Sequence, residues 1–447
     1  MGALTAVWRT PERRFWLLAC LLALYLGLTK GDGGMLDLKV YRRGAEFVAA
    51  GDPLYDLRPG KLPFTYPPFA AIFMMPIAAV PWVWAVKIWT GVSVLGLAAV
   101  LRQSASRAVA TRSILMPLAL LGCLALEPVR ATLRFGQINL ILAAMIMLDL
   151  VGRKHPGRGF LVGVAAGLKL TPLVFVGFLL VTRQWTALRN AGIGLATTAA
   201  VGFLVTPGES WRYWTDILHS AARVGGTGYT SNQSVMGFLF RIELHGDAPW
   251  VLPVWAAVSG SLVVLCLLLA RTLWSTGDRL GAVAVCSVAA LLASPVAWTH
   301  HWAWVIPIGV TLINTARRRA RRPDRPILAV CIGLVWFYWF WSRLVWRVPN
   351  RDDSAHYWTF GQALLGNSYI IFALLALAYL NYATWLAPVR AVADADEAVV
   401  AEAAEAADAA ETEVAAEAAA LSPDHPADVE NAVHAATSPP MPPVSAK

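Results

Sequence analysis

Charge is scarce in this chain: Asp, Glu, Lys and Arg make up 15% of 447 residues against 57% hydrophobic ones. A soluble domain carries about 25% charged residues, so a water-soluble globular protein is excluded. Twenty tryptophans point the same way, to a polytopic membrane protein. Cysteine is scarce too. Cys20, Cys123, Cys266, Cys286 and Cys331 each sit in an apolar run with no metal-ligand spacing between them, so no disulfide framework is expected and packing is their default role. No nucleotide-binding glycine motif and no metal-ligating cluster occurs, so no metal, cofactor or nucleic-acid partner is expected. No A-x-A-like cleavage site follows the apolar run 15–29, which reads as a retained first span rather than a removed signal. Acids are sparse until residue 391. Residues 391–447 hold twelve of them and one Lys, so the net +9 of the whole chain conceals +20 in the part before.

Apolar runs of bilayer length, or broken ones near it, fall at 15–29, 82–101, 114–127, 138–152, 160–182, 190–206, 250–270, 280–294, 302–316, 326–342 and 368–387. With the N-terminus in the cytoplasm, the inside loops "RTPERR", "RQSASRAVATR" and "RKHPGR" are all basic and short, as cytoplasmic loops should be. The run 160–182 is flanked by "RKHPGR" and "RQWTALR", and both flanks ask to be inside. A single span there would put "RRRARRPDR" (317–325) outside. A re-entrant pair of half-helices restores the parity, with "LKLTP" at its tip, because Pro172 disfavours helix at Thr171 and within its own turn. The fold class is therefore an all-α membrane bundle of about 12 segments with juxtamembrane helices in its first outward loop. Residues 1–390 form the membrane domain, and 391–447 an Ala/Glu-rich, then Pro-rich cytoplasmic tail of disordered composition.

The outward segments, 30–81, 128–137, 207–249, 294–301 and 343–367, hold fourteen Lys or Arg. The positive-inside rule does not ask for these, so they are candidates for binding something anionic. In "LDLKVYRRGAEF" (36–47), Asp37 and Tyr41 share a helix face, and Asp37 is either a helix cap or a general base. "LPFTYPPFAAIFMMPIAAVP" (62–81) reads as an interfacial helix entered through "TYPP", a membrane anchor whose Tyr66 can also line a site. "EPVRATLRFGQINLI" (127–141) offers Arg130, Arg134, Gln137 and Asn139; the two arginines bracket a phosphate, or Glu127 simply pairs with Arg130. Lys169 lies in the membrane without a snorkelling route, which suits a lipid-linked phosphate or an ion pair with Asp37 or Glu127. Asn232 and Gln233 in "TSNQSVMGFLFR" can read sugar hydroxyls, and "SNQS" also fits a glycosylation acceptor pattern. His300 and His301 in "SPVAWTHHWAW" stand about 100° apart on a helix, so one of them is expected to enter a site.

Taken together and in order, "DLKVYRRGA", "DPLYD", "LPFTYPPFAA", "EPVRATLRFGQIN", "GLKLTP", "SNQSVMGFLFR" and "SPVAWTHHWAW" resemble glycosyltransferase family 87, the bacterial mannosyltransferases of GT-C fold. The resemblance implies an inverting transfer of mannose from polyprenyl-phosphate mannose to a glycolipid or lipoglycan acceptor on the outer face of the plasma membrane, an α-(1,2) linkage, and Asp37 as the catalytic base. Enzymes of this kind elaborate actinobacterial phosphatidylinositol mannosides and lipomannan. The chemistry is economical: the phosphate leaving group is already activated, so cations to hold it and one base for the acceptor hydroxyl suffice. The alternatives are a flippase for polyprenyl-linked sugars, against which stands the lack of an internal repeat of "DLKVY" or "TYPPF", and a non-catalytic assembly subunit. Membrane lipids are the expected partners, and the sequence assigns no oligomeric state.

Overall fold

A computed structural model of the chain describes residues 10–31, 33–105, 115–219, 226–242, 248–319, 326–349 and 358–386. Residues up to Thr384 form one compact unit, to which the features below belong. The acidic tail expected at 391–447 and residues 320–325 of the basic run lie outside the described residues.

The described residues are mostly helical, without a strand ladder, and each of the eleven apolar runs contains helix. Helix α1 (Pro11–Thr29) is followed by α2 (Leu36–Ala50) and the short α3 (Pro68–Phe73) and α4 (Met75–Ala78), then by the long α5 (Trp82–Ser104). Next come α6 (Leu115–Ala125), α7 (Glu127–Phe135), α8 (Asn139–Leu150), α9 (Phe160–Leu168), α10 (Leu173–Val181), α11 (Trp185–Val205) and α12 (Pro207–Thr215). The second half holds α13 (Val235–Ile242), α14 (Val251–Ser275), α15 (Arg279–Ala293), a 3-10 segment (Thr299–Trp304), α16 (Val305–Arg318), α17 (Ile327–Trp341), α18 (Phe360–Gly366) and α19 (Ser368–Asn381). Among the described residues, four helices are long and apolar enough to cross a membrane: α5, α11, α14, and α19 extended to Trp385. Helices α6 and α7 together would also qualify, but they meet at a 70° bend. Pro128, at the first turn of α7, suits a new helix start there because it needs no N–H partner.

Small residues let helices approach where lipid gives no hydrophobic drive between them. Helices α1 and α5 run antiparallel, with Gly27 against the Lys87 carbonyl, Gly91 against that of Ala23, and Arg102 paired to Glu12 at the far end. Along α9 the contacts are closer still. A Cβ on Gly159 or Gly163 would lie 2.0 Å from the carbonyl oxygens of Ala187 and Ala191 respectively, and one on Gly167 would lie 1.9 Å from Thr198 Oγ1. Both series of numbers rise together, so α9 and α11 run side by side in the same direction. The chain must therefore return between them. Trp274 records the return: its ring meets Phe178 edge to face near the end of α10, at 5.3 Å between centroids, and lies 5.8 Å from the Arg158 guanidinium that precedes α9.

The break between α9 and α10 is the one expected around "LKLTP". It opens at Lys169, whose backbone is extended, and closes at Pro172, which precedes the first turn of α10. At the opposite end of α9, Asp149 is fully buried and accepts hydrogen bonds from the N–H groups of Gly159 (2.9 Å) and Val162 (3.1 Å). A carboxylate at a helix N-terminus satisfies orphan donors and complements the dipole. Its partner His155 stands 3.3 Å away.

Gly163→Val adds three carbons where even one has no room. Overpacking of this kind costs about 1–3 kcal/mol, so the thermal midpoint of the detergent-solubilised protein is expected to fall. Gly192→Ala, at a position with open space around it, is expected to hold or raise it. Equal midpoints for Gly163→Val and the unaltered protein would refute the close α9–α11 crossing.

Candidate active site

Three backbone features bring the polar residues together. Gly136, in the left-handed region at φ 68°, turns the chain between α7 and α8, and its carbonyl is fixed by Trp89 Nε1 at 2.8 Å. The turn delivers Gln137 and Asn139, both buried. The α9–α10 tip delivers Lys169, and the 3-10 segment delivers His300 and His301.

Lys169 is 8% exposed. Its ammonium donates to Asn139 Oδ1 at 2.9 Å and lies 3.1 Å from His301 Nε2, with the Tyr66 ring 5.8 Å away. Asn139 in turn donates through Nδ2 to the His300 carbonyl at 2.8 Å, and Thr132 Oγ1 reaches the same carbonyl at 2.9 Å. On the other side, Tyr41 donates to Gln137 Oε1 at 2.8 Å, and its hydroxyl lies 3.3 Å from that of Tyr66. Asp37, half-buried on α2, hydrogen-bonds Gln137 and feels the Lys169 charge. Burial raises its carboxyl to about 6, and the Gln137 bond and Lys169 hold it from going higher. Burial, then the Lys169 charge, keeps both imidazoles well below the usual histidine range, so they are neutral at pH 7. A neutral His301 accepts from the ammonium, and its backbone bond to Val296 fixes the ring.

Two openings remain in this cluster. His300 Nε2 is buried without a hydrogen-bond partner, at a cost that a ligand oxygen would remove. Beside Lys169 runs a partly open cleft whose apolar lining includes Leu142, Ile146, Phe175, Ala290, Leu291 and Trp304. A cation at the head of an apolar groove suits an anion attached to a hydrocarbon chain.

The sequence-predicted residues divide accordingly. Asp37, Tyr41, Tyr66, Gln137, Asn139, Lys169, His300 and His301 come together. Asp37 makes no capping bond at the start of α2, so the cap reading fails. Lys169 is ion-paired to neither Asp37 nor Glu127; its partners are an amide and an imidazole. Both histidines reach the cluster rather than one, with their rings packed edge to face 4.7 Å apart. Arg130 and Arg134 are exposed on α7 beside the cluster and form no ion pair among the described residues. The alternative reading, a Glu127–Arg130 pair, is therefore not found.

Asn232 and Gln233 do not join the cluster. Both are fully buried, and their amide atoms are used inside the protein. Asn232 donates to the carbonyls of Thr227 and Pro295 and accepts from Ala297 N and Ser234 Oγ. Gln233 donates to the carbonyls of Thr230 and Gly366 and accepts from Tyr369 N. Such burial also removes Asn232 as a glycosylation acceptor. Arg241 closes the clamp on Asn367 Oδ1 at 2.6 Å and on the Asn232 carbonyl at 2.8 Å. The clamp anchors residues 295–298, from which the histidine segment springs.

Glu127 holds that segment from the other side. Its buried carboxylate accepts from Tyr369 Oη (2.5 Å), Trp346 Nε1 (2.7 Å) and Thr299 Oγ1 (3.2 Å), joining α7, α19, the Leu344–Arg347 turn and the residue before His300. These partners lie up to 242 residues away along the chain, so spacing alone could not reveal them.

Residues 64–295 match glycosyltransferase family 87. Over 370 residues, 80% of this chain and 87% of the relative, the sequence is 33% identical to a polyprenol-phosphate-mannose-dependent alpha-(1-2)-phosphatidylinositol pentamannoside mannosyltransferase of Mycolicibacterium smegmatis. Over 439 residues, 87% of this chain and 97% of the relative, it is 31% identical to a polyprenol-phosphate-mannose-dependent alpha-(1-2)-phosphatidylinositol mannoside mannosyltransferase of Mycobacterium tuberculosis. No solved structure matches the chain.

Glu127→Ala strands three buried donors, each at about 1–3 kcal/mol, and is expected to lower the thermal midpoint well beyond Glu127→Gln, which keeps an acceptor oxygen. An Ala variant as stable as the parent would show that the carboxylate does not hold the histidine segment.

Proposed function

The chain belongs to glycosyltransferase family 87 and is an alpha-mannosyltransferase, and from this premise we propose that it moves mannose from polyprenyl-phosphate mannose to a phosphatidylinositol mannoside, forming an α-(1,2) bond with inversion. Membership in an enzyme family sets aside the flippase and assembly-subunit alternatives. One observation carries the mechanism: a buried Lys169 stands at the head of an apolar cleft, with a carboxylate across the cluster from it. The donor phosphate lies on Lys169 and on the free nitrogen of His300, with its prenyl chain in the cleft. Asp37 takes the proton of the acceptor hydroxyl as that oxygen attacks the anomeric carbon. The C–O bond to the phosphate breaks as the new one forms, and polyprenyl phosphate leaves with charge that Lys169 offsets. Gln137 and Tyr41 position the carboxylate.

We further propose that α9 and α10 are a re-entrant pair, entering and leaving on the cytoplasmic side of the plasma membrane. The supports are the parallel course of α9 and α11, the return contact at Trp274, and the basic flanks. Both termini are then cytoplasmic and the site faces outward. In a cysteine-free variant, a cysteine at Arg319 is expected to resist impermeant maleimide in whole cells; ready labelling would reverse the assigned face.

Asp37→Asn keeps shape and hydrogen bonding but removes the proton acceptor, so turnover is expected to fall about 10²- to 10⁴-fold with donor binding little changed. Because the base works only when ionised and its carboxyl sits at about 6, kcat/KM should rise with pH toward 6 and flatten above it. Transfer by the Asn variant at the parental rate would sink the assignment. Lys169→Met should raise the KM for the donor instead; an unchanged donor KM and kcat would move the phosphate to Arg130 and Arg134.

A further inference from the structure

The helix that carries Asp37 has a second feature that the transfer step leaves unused. Asp37, Val40, Gly44 and Phe47 recur at i, i+3, i+7 and i+10 along one side of α2, and the last three line a separate, shallow pocket that is partly open to the surface. Its walls are Phe47, Leu54 and Phe64, and its rim carries Arg43, Arg58 and Lys61. Gly44 is what lets the pocket close up, since a Cβ there would meet the Phe64 ring at 2.6 Å.

We propose that this pocket binds the phosphodiester of the glycolipid acceptor. The inference rests on the reading of the acceptor as a phosphatidylinositol mannoside. Charge is the first argument. The lining carboxylate Asp56 is already engaged by Arg212 at 2.7 Å. Arg58 has only a loose contact to Asp52 at 3.8 Å and stacks over the Phe47 ring. Arg43 and Lys61 make no ion pair among the described residues. The rim therefore offers uncompensated cations to an anion, with guanidinium forks that match phosphate oxygens.

Rigidity is the second argument. Glu209 Oε2 accepts from the N–H groups of Leu54 (3.0 Å) and Tyr55 (3.2 Å), and Tyr55 Oη donates to the Tyr66 carbonyl at 2.7 Å. The pocket wall is thus tied to the residue that closes the catalytic cluster. Reach is the third. From Asp37 to Gly44 is seven residues, about 10 Å along the helix, a gap for the sugars between the phosphodiester and the hydroxyl that reacts. Leu57 and Leu62 beside the rim are 69% and 52% exposed, leaving apolar surface for the acyl chains of the same lipid.

The test is equilibrium binding of radiolabelled phosphatidylinositol mannoside to the full chain in zwitterionic nanodiscs without donor, alongside transfer kinetics. The combined variant Arg43→Gln, Arg58→Gln, Lys61→Gln is expected to weaken acceptor binding and raise the acceptor KM at least tenfold, while the donor KM, the kcat, and the KM for the uncharged acceptor octyl α-mannoside hold. An unchanged affinity, or an equal loss with octyl mannoside, would overturn the proposal. So would a loss confined to nanodiscs containing phosphatidylglycerol, which would mark a site for bulk anionic lipid. If the unaltered protein transfers mannose to neither acceptor, the mannosyltransferase mechanism fails on its own, and the binding measurement still decides the pocket.

Discussion

An ammonium buried in an apolar bundle must be compensated, and the arrangement around Lys169 follows from that requirement. Leaving a charge unpaired in a low-dielectric interior costs several kcal/mol, and no carboxylate among the described residues forms an ion pair with Lys169. An amide oxygen and a neutral imidazole do so instead. Both partners must then be held, because neither is drawn to the cation as strongly as a carboxylate would be. Asn139 is held by its second bond to the His300 carbonyl, and the histidine segment is held by Thr132, Glu127 and the Asn232–Gln233 clamp. The reason for the indirect arrangement is functional on the proposed mechanism: a cation neutralised by Glu127 or Asp37 would have nothing left for a phosphate.

The same logic explains where the polar groups of the outward segments went. Asn232, Gln233, Arg241 and Glu127 are all buried, and all are satisfied within the protein. Segments that lack regular structure can lie within a bundle only if their backbone groups find such partners. The 3-10 turn at Thr299–Trp304 breaks the regular ladder and is braced on two sides by amide and carboxylate side chains. Polar residues near an active site are in this protein divided between a few that face the cleft and more that fix the backbone behind it.

Much of the helix layout was legible in the sequence, because long apolar runs leave one solution in a membrane, and the break at Lys169 had a local cause in Pro172. The residues that meet in the cluster were legible as well: Asn139 and Lys169 are polar groups inside apolar runs, and the others lie in the outward segments that flank those runs. Their roles were less so. Asn232 and Glu127 carry the same chemistry as Asn139 and Asp37, and only long-range packing separates a brace from a site residue. The pairing of Glu127 with Tyr369 spans 242 residues of sequence, whereas Arg130, three residues away, was the partner that spacing suggested. Asp149 gave no signal beyond being an acid at the end of an apolar run, and its role depends on the N-terminus of a helix ten residues on.

The opposed charges also explain how one carboxylate can serve as a base without being trapped by its neighbours. Lys169 favours the ionised form of Asp37, offsetting part of the burial that pushes the carboxyl up to about 6. On the proposed mechanism a donor phosphate placed on Lys169 neutralises that influence and excludes water from the cleft, and both changes raise the proton affinity of Asp37. The carboxylate is then a stronger base with donor bound than without it, when the acceptor hydroxyl has a sugar to attack. A second cation next to Asp37 would remove this coupling by holding the carboxylate ionised and weakly basic throughout.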